Sequence, residues 1–244
     1  PPSGAPNLSL LTTSQKALRG LSGFKNPSSF YGNPDLTATL VVALADECGQ
    51  DLEKEYRWQE LVTEHTFTTT ASTATYALPT FFRAFANMSQ WDRTNQWRMQ
   101  GPMPSFVYQW LKSGISVWAS NNRWFALRGN LFTIFPTPAT TGDTIAFDYY
   151  SKAWITKQLD SSNIAAWSAD LDTARLDEDL LTADLKWRFL QAKGLPFEPE
   201  YKRRESLIEA LQADNGGRGM IDLGSPAPSM GVGYGNLPET GIGS

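Results

Sequence analysis

Apolar residues recur at two different periods along the chain, and the changes of period divide it into segments. Residues 1–33 keep neither period; rich in Pro, Gly, Ser and Asn, they predict an extended N-terminal arm. Asn33-Pro34-Asp35 then carries the signals of a helix start: a capping side chain, proline at the first helical position and an acid in the first turn. Val41, Leu44, Cys48, Leu52 and Tyr56 follow at spacings of three and four, which predicts a bundle helix over 34–57 with one apolar face. Gly49 interrupts that helix, as a kink or as a break into two.

From 58 to 155 the texture is that of strands, with one short helix from about Pro104 to Lys112. Residues 61–70 and 73–78 are rich in β-branched side chains, and Pro79 ends the second run. Residues 123–128 and 131–135 flank Gly129-Asn130; glycine in the first loop position predicts a hairpin with a type II′ turn. Pro136-Thr137-Pro138 stops that strand, and Thr141-Gly142-Asp143 turns the chain into a third, from Thr144 to Tyr150. The segment 156–214 reads as a polar loop followed by two helices. In the first, Leu176, Leu180, Ala183, Trp187 and Leu190 form a stripe, with acids at its start and Gly194 and Pro196 at its end. The second runs from Pro199 through Tyr201, Leu207, Ile208 and Leu211. Their stripes lie far apart in sequence, so the helices are expected to pack as one bundle through Val41, Leu44, Leu180, Trp187, Leu190 and Ile208. Helix, then strands, then helices is the order of an α+β fold.

Residues 215–244 are glycine-rich and show no period. Their apolar residues stand singly: Met220, Ile221, Leu223, Met230, Val232, Tyr234, Leu237 and Ile242. That is the pattern of an extended segment lying along a groove of another chain, with separate side-chain anchors and close backbone approach.

Charge and rare residues narrow the chemistry. Lys and Arg number 21 against 25 Asp and Glu, a net charge of −4, which argues against binding nucleic acid by net charge. A single cysteine, Cys48, and a single histidine, His65, exclude a disulfide framework, a cysteine zinc cluster and a multi-histidine metal site. Cys48 falls on the apolar stripe and reads as a buried thiol. His65 shares a strand face with Leu61 and Phe67 and reads as structural. Asp170, Asp172, Asp177, Glu178 and Asp179 could suggest a divalent cation or a nucleotide-sugar site, but the last three suit a helix N-terminus and the calcium-loop pattern fails. Gly231-Val232-Gly233-Tyr234-Gly235 follows no strand and opens no helix, so it is no nucleotide motif. No apolar run approaches the length of a bilayer span, and the first residues show no basic-then-apolar signal, so a soluble product of a cytoplasm is expected. No catalytic constellation stands out, and neither enzyme activity nor a cofactor is expected.

What remains is an excess of aromatics, with nine tryptophans spread over every segment. They suit interface anchors, stacking platforms of a carbohydrate-binding module, or simply a tryptophan-rich core. A polysaccharide hydrolase would need two facing carboxylates, for which Asp92, Asp143 and Asp148 are the obvious acids of the strand region.

The order of several motifs carries more information than any one. Trp58 and Leu61 precede Tyr76-x-Leu78-Pro79-x-x-Phe82-Arg83, Trp91-Asp92-Arg93 and Gly101-Pro102. Phe135-Pro136-x-Pro138, Gly142-Asp143, residues 147–151 and Trp154 follow, then Leu176 through Lys186-Trp187-Arg188-Phe189 to Gly194. Over roughly residues 34–213 this series resembles the head–tail adaptor proteins of tailed bacteriophages. Phe81 departs from it, standing where the pattern has an acid. The resemblance implies a structural virion protein assembled in the host cytoplasm, a ring of about twelve copies beneath the portal. Its implied partners are the portal protein, neighbouring adaptor subunits and tail or nozzle proteins. The helices would pack side by side as the ring core and carry most contact between subunits, the strand region would face the tail, and DNA would pass through the channel without specific binding. On that reading the segment 215–244 docks on the portal, or else on a neighbouring adaptor subunit.

Overall fold

The computed structural model describes residues 9–21, 24, 26–86, 88–113 and 123–215. Within the segment read as an extended arm, residues Leu10–Leu18 form a helix, α1, capped by the Ser9 hydroxyl, which accepts from the Thr12 N–H. Leu10, Ala17 and Leu18 are buried, so this short helix is held by the surface it covers rather than by its own nine residues. Helix α2 spans Leu36–Glu55 without a break at Gly49. Its cap is Asp35, whose carboxylate accepts from the Thr37 N–H at 3.3 Å, so Pro34 lies before the helix and not at its first position. Asn33 instead accepts from the Asp35 N–H, shaping the turn that leads in.

A 3₁₀ turn at Gln59–Leu61 leads to β1 (Val62–Thr68), followed by β2 (Thr75–Ala77), β3 (Phe82–Phe85), β4 (Trp91–Asp92) and β5 (Trp97–Arg98). Helix α3 (Ser105–Lys112) precedes the hairpin of β6 (Trp124–Arg128) and β7 (Leu131–Phe135), and the long strand β8 (Thr144–Ser151) follows. The hairpin lies where the sequence places it, but Gly129 and Asn130 both have positive φ, +55° and +61°. That makes the turn type I′, which the readiness of asparagine to enter the left-handed region permits.

The described strands pair antiparallel throughout, and one isolated parallel bridge joins Gln100 to Trp124. Strand β8 is the centre of one sheet, with β1 along one edge and β3 and β4 along the other; β5 pairs outside β4. A second sheet has the order β2-β7-β6. The two share an aromatic core: the Phe147 ring of β8 stacks at 5.4 Å on Phe132 of β7, which stacks at 5.1 Å on Phe125 of β6. Phe67, Phe82 and Phe85 close it around their edges. Against this lobe, Tyr108 and Leu111 of α3 cluster with Met103 and Ala126.

The chain then returns to the helices. The segment read as a polar loop holds a small three-stranded sheet: β9 (Ile155–Thr156) lies between β10 (Asn163–Ile164) and β11 (Thr173–Ala174). Helix α4 (Glu178–Ala192) packs against α1, α2 and α5 (Glu198–Asn215). Leu10, Val41, Cys48, Leu52, Leu180, Leu185 and Phe189 form its core together with Trp154 and Trp167, which meet edge to face at 5.2 Å. Gly49 allows Trp154 to lie directly on α2.

Two arginines join the halves. Arg83 of β3 reaches the C-terminal end of α2, donating to the carbonyls of Glu53, Lys54 (2.6 Å) and Tyr56 (3.1 Å) and pairing with the Glu53 carboxylate at 3.2 Å. These carbonyls end a helix, where a cation suits the dipole. Arg175, just after β11, donates to the carbonyls of Ala153 and Glu60. Among the described residues no helix is long and apolar enough to cross a membrane.

Candidate assembly interface

The most charged feature of the helical layer is built around one carboxylate. Asp184 has no exposed surface and lies on the same face of α4 as Leu180 and Trp187. It accepts from Trp187 Nε1 at 2.8 Å, Arg188 Nε at 3.1 Å and Arg204 Nε at 2.9 Å. Arg188 continues to Asp51 at 3.0 Å and Glu47 at 3.4 Å on α2, while Arg204 of α5 continues to Glu55. A lone buried carboxylate would be strongly disfavoured, and these donors offset its desolvation. Burial by itself would lower both guanidinium pKa values, yet the carboxylates, Asp184 foremost, hold them above the ordinary value. The adjoining Cys48 thiol is pushed well up, first by burial and then by the charge of Asp184, which keeps it protonated and inert.

Asp184, Arg188 and Arg204 were not legible as a unit in sequence. The available signal is an acid on an otherwise apolar stripe with an arginine four residues on.

Of the six residues read as bundle contacts, Val41, Leu180 and Ile208 are buried in this chain's own helical core, Leu190 is also buried, and Leu44 is half-buried against that core. Trp187 is half-buried between α4 and α5, edge to face with Tyr201 at 5.3 Å. The anchors read in the tail, Met220, Ile221, Leu223, Met230, Val232, Tyr234, Leu237 and Ile242, lie outside the described residues.

The acidic cluster separates into local supports. Asp170 accepts from the Ser29 hydroxyl (2.7 Å) and from the N–H groups of Phe30 and Tyr31. Asp172 gathers Gln158, Ser168 and Ala169; burial opposes its ionisation, but the Ser168 hydroxyl and the N–H donors prevail and lower its pKa. Asp177 caps α4, and Glu178 pairs with Lys16 of α1. Among the described residues no group of three or more His, Cys, Asp or Glu could hold a metal ion.

The acids proposed for a hydrolase are committed elsewhere. Asp92 and Asp143 converge on the guanidinium of Arg123, at 3.1 Å for Asp92, and Asp92 also accepts from the backbone and side chain of Asn95. Asp148 sits in β8 opposite Glu64, away from that pair. Beside Arg123 a cleft of about 330 Å³ is lined by Asn95, Trp97 and residues 136–139. Trp97 is its one tryptophan. Trp91 pairs across from Arg98 and therefore points to the other face of the β4–β5 ribbon, so the two do not form a sugar platform. Trp58, Trp154 and Trp167 are buried, Trp91, Trp97 and Trp110 exposed, Trp124 and Trp187 half-buried, and Trp118 lies outside the described residues. His65 packs beside Phe147 (5.2 Å) and Phe67 (6.0 Å), and burial lowers its pKa.

A search of curated proteins finds no match for the chain. A family model described as "SU10 adaptor protein" matches residues 18–223, a stretch that holds α2 to α5 and both large sheets. The ordered motifs, the α+β architecture and this match over most of the chain agree: the chain belongs to the SU10 adaptor protein family, a family of structural head–tail adaptors of bacteriophages.

Proposed function

We propose that this chain is the subunit of a ring of about twelve copies that sits beneath the portal and joins the DNA-filled head to the tail. The observation that carries the reading is the family match over residues 18–223. The partners are then the portal protein, neighbouring adaptor subunits and tail or nozzle proteins, with the protein assembled in the host cytoplasm and retained in the virion. The net charge of −4 supports a channel that passes DNA without holding it, because a basic lining would bind phosphates through counterion release. Carboxylates locked to Arg123, and tryptophans divided between core and separate surfaces, favour a structural role over a hydrolase or a carbohydrate-binding module.

The tail beyond α5 is the portal-docking segment on this reading, with Met220, Ile221, Leu223, Met230, Val232, Tyr234 and Leu237 as its anchors. Full-length protein and a variant ending at Asn215 can be mixed with portal-bearing, DNA-filled heads and sedimented. The full chain should travel with the heads and the shortened one, still folded, should stay behind. Equal attachment of both would overturn the docking role, and failure of the full chain to attach would overturn the adaptor reading.

A further inference from the structure

Charge is divided unequally along this chain. The fifty residues 93–142 contain five basic residues, Arg93, Arg98, Lys112, Arg123 and Arg128, and no Asp or Glu. With the whole chain at −4, the remainder carries −9. The described part of this stretch forms β5, α3 and the β6–β7 hairpin, and α3 packs in one cluster with the hairpin. Arg93 is paired with Glu64, and Arg123 is held by Asp92 and Asp143. Arg98, Lys112 and Arg128 have no ion pair among the described residues. Lys112 and Arg128 stand over the same Tyr108 ring, at 5.3 and 4.4 Å from its centre, which holds two exposed cations together at the surface.

Large apolar side chains accompany them. Phe106 and Trp110, one turn apart on α3, are 74% and 44% exposed while the opposite side of that helix packs on the lobe. Leu127 and Leu131, astride the hairpin turn, are also exposed. Aromatic anchors beside a basic rim are the composition of a protein-binding surface. The helical layer has the opposite character. Helices α2 and α5 together carry ten carboxylates against four basic residues; Glu47, Asp51, Glu53, Glu55 and Glu200 are paired within the chain, while Glu198, Glu205, Glu209 and Asp214 of α5 are exposed and have no ion pair among the described residues.

We propose that the acid-free surface of α3 and the β6–β7 hairpin docks on the acidic surface of α2 and α5 of a second copy of this chain. The inference rests on the ring reading and gives it an interface. Two different patches in contact make a head-to-tail association, the kind that closes into a ring, whereas the basic patch facing itself would oppose like charges. A second copy fits better than nucleic acid, since three cations without ion pairs among four exposed apolar side chains offer little to a phosphate backbone. Phe106 and Trp110 supply the buried anchors, and Lys112 and Arg128 select the acidic helices.

The test uses assembled particles in which half of the adaptor copies carry ¹⁵N. Zero-length carbodiimide coupling followed by peptide mass spectrometry should join Lys112 to a carboxylate of α2 or α5 in a differently labelled copy. Coupling of Lys112 only within its own copy, only to another protein, or not at all would overturn the proposal. In parallel, Lys112→Glu with Arg128→Glu should lower incorporation about tenfold, and adding Glu205→Lys with Glu209→Lys should restore it. Undiminished incorporation of the doubly reversed chain would contradict the interface, and if the same chain lost salt-dependent DNA binding instead, the surface would belong to nucleic acid. A wild-type chain present as a single copy per particle would refute the ring itself, a result distinct from many copies without the Lys112 linkage.

Discussion

Replacing Gly49 with alanine sets two effects of opposite sign against each other. In an open helix interior the change would stabilise by about 1 kcal/mol, because alanine restricts the unfolded chain and favours the helix. Here a Cβ on residue 49 would lie 2.1–2.3 Å from three ring carbons of Trp154. Ordinary carbon–carbon contact is about 3.5–4.0 Å, so the ring would have to retreat by about 1.5 Å. It has nowhere to go: Trp154 is fully buried, its indole N–H donates to the Ala165 carbonyl at 3.1 Å, and Trp167 stands against it edge to face. An overlap of this size belongs at the upper end of overpacking costs, about 3 kcal/mol, which leaves a net loss of about 2 kcal/mol after the helix gain. For a chain of this size that corresponds to a Tm lower by about 6 °C. Urea unfolding followed by tryptophan fluorescence would measure it, with the midpoint shifted and the slope unchanged. In a Trp154→Leu background the penalty should disappear and the helix gain of about 1 kcal/mol remain, giving a coupling energy of about 3 kcal/mol. A Gly49→Ala protein as stable as the wild type, or more so, would refute the close contact of α2 with Trp154.

Arg83→Ala removes the donor shared by the last carbonyls of α2 and should cost about 2–3 kcal/mol in urea unfolding, with Arg83→Lys recovering little of it. Asp184→Asn leaves Arg188 and Arg204 facing a neutral group; we expect a loss of about 3–5 kcal/mol and faster amide exchange along α5, and a variant within about 0.5 kcal/mol of wild type would contradict the junction. Burial lowers the pKa of His65 below its ordinary value of 6.5, so the unfolded chain binds that proton more readily than the folded one. The stabilising preference for neutral imidazole is complete above the unfolded value and is lost as pH falls from there through the lowered folded value. The difference in Tm between wild type and His65→Gln should therefore shift against the wild type between about pH 7 and 5, and pH-independence of that difference would contradict it.

Elements whose signal is local were readable in the sequence; those that exist because of a neighbour were not. The α2 stripe, the α4 stripe and the hairpin at Gly129-Asn130 follow from period and turn chemistry alone. The hairpin's turn type depended on Asn130 accepting a left-handed conformation, which composition permits but does not demand. Helix α1 is too short to be stable alone, and its neighbours' prolines and glycines hide a nine-residue pattern that matters only against α4, α2 and the carbonyls of Asp170 and Asp172. Strands β4 and β5 are two residues long and exist because β8 offers an edge. Similarly, sequence could not distinguish a core tryptophan such as Trp154 from a surface one such as Trp110, since only the fold decides which face is covered. The Asp184 junction joins residues from three helices, and a single sequence shows neither the acid's burial nor its partners' approach.

On the proposed function, many copies of this 27.1-kDa chain close into one ring at the head–tail junction. Native mass spectrometry of the neck released from purified particles, or counting of its subunits by cryo-electron microscopy, reads that number directly. About twelve copies bound to the portal in a single closed ring are expected. A chain found only as a monomer, or in the particle at one or two copies away from the portal, would contradict it.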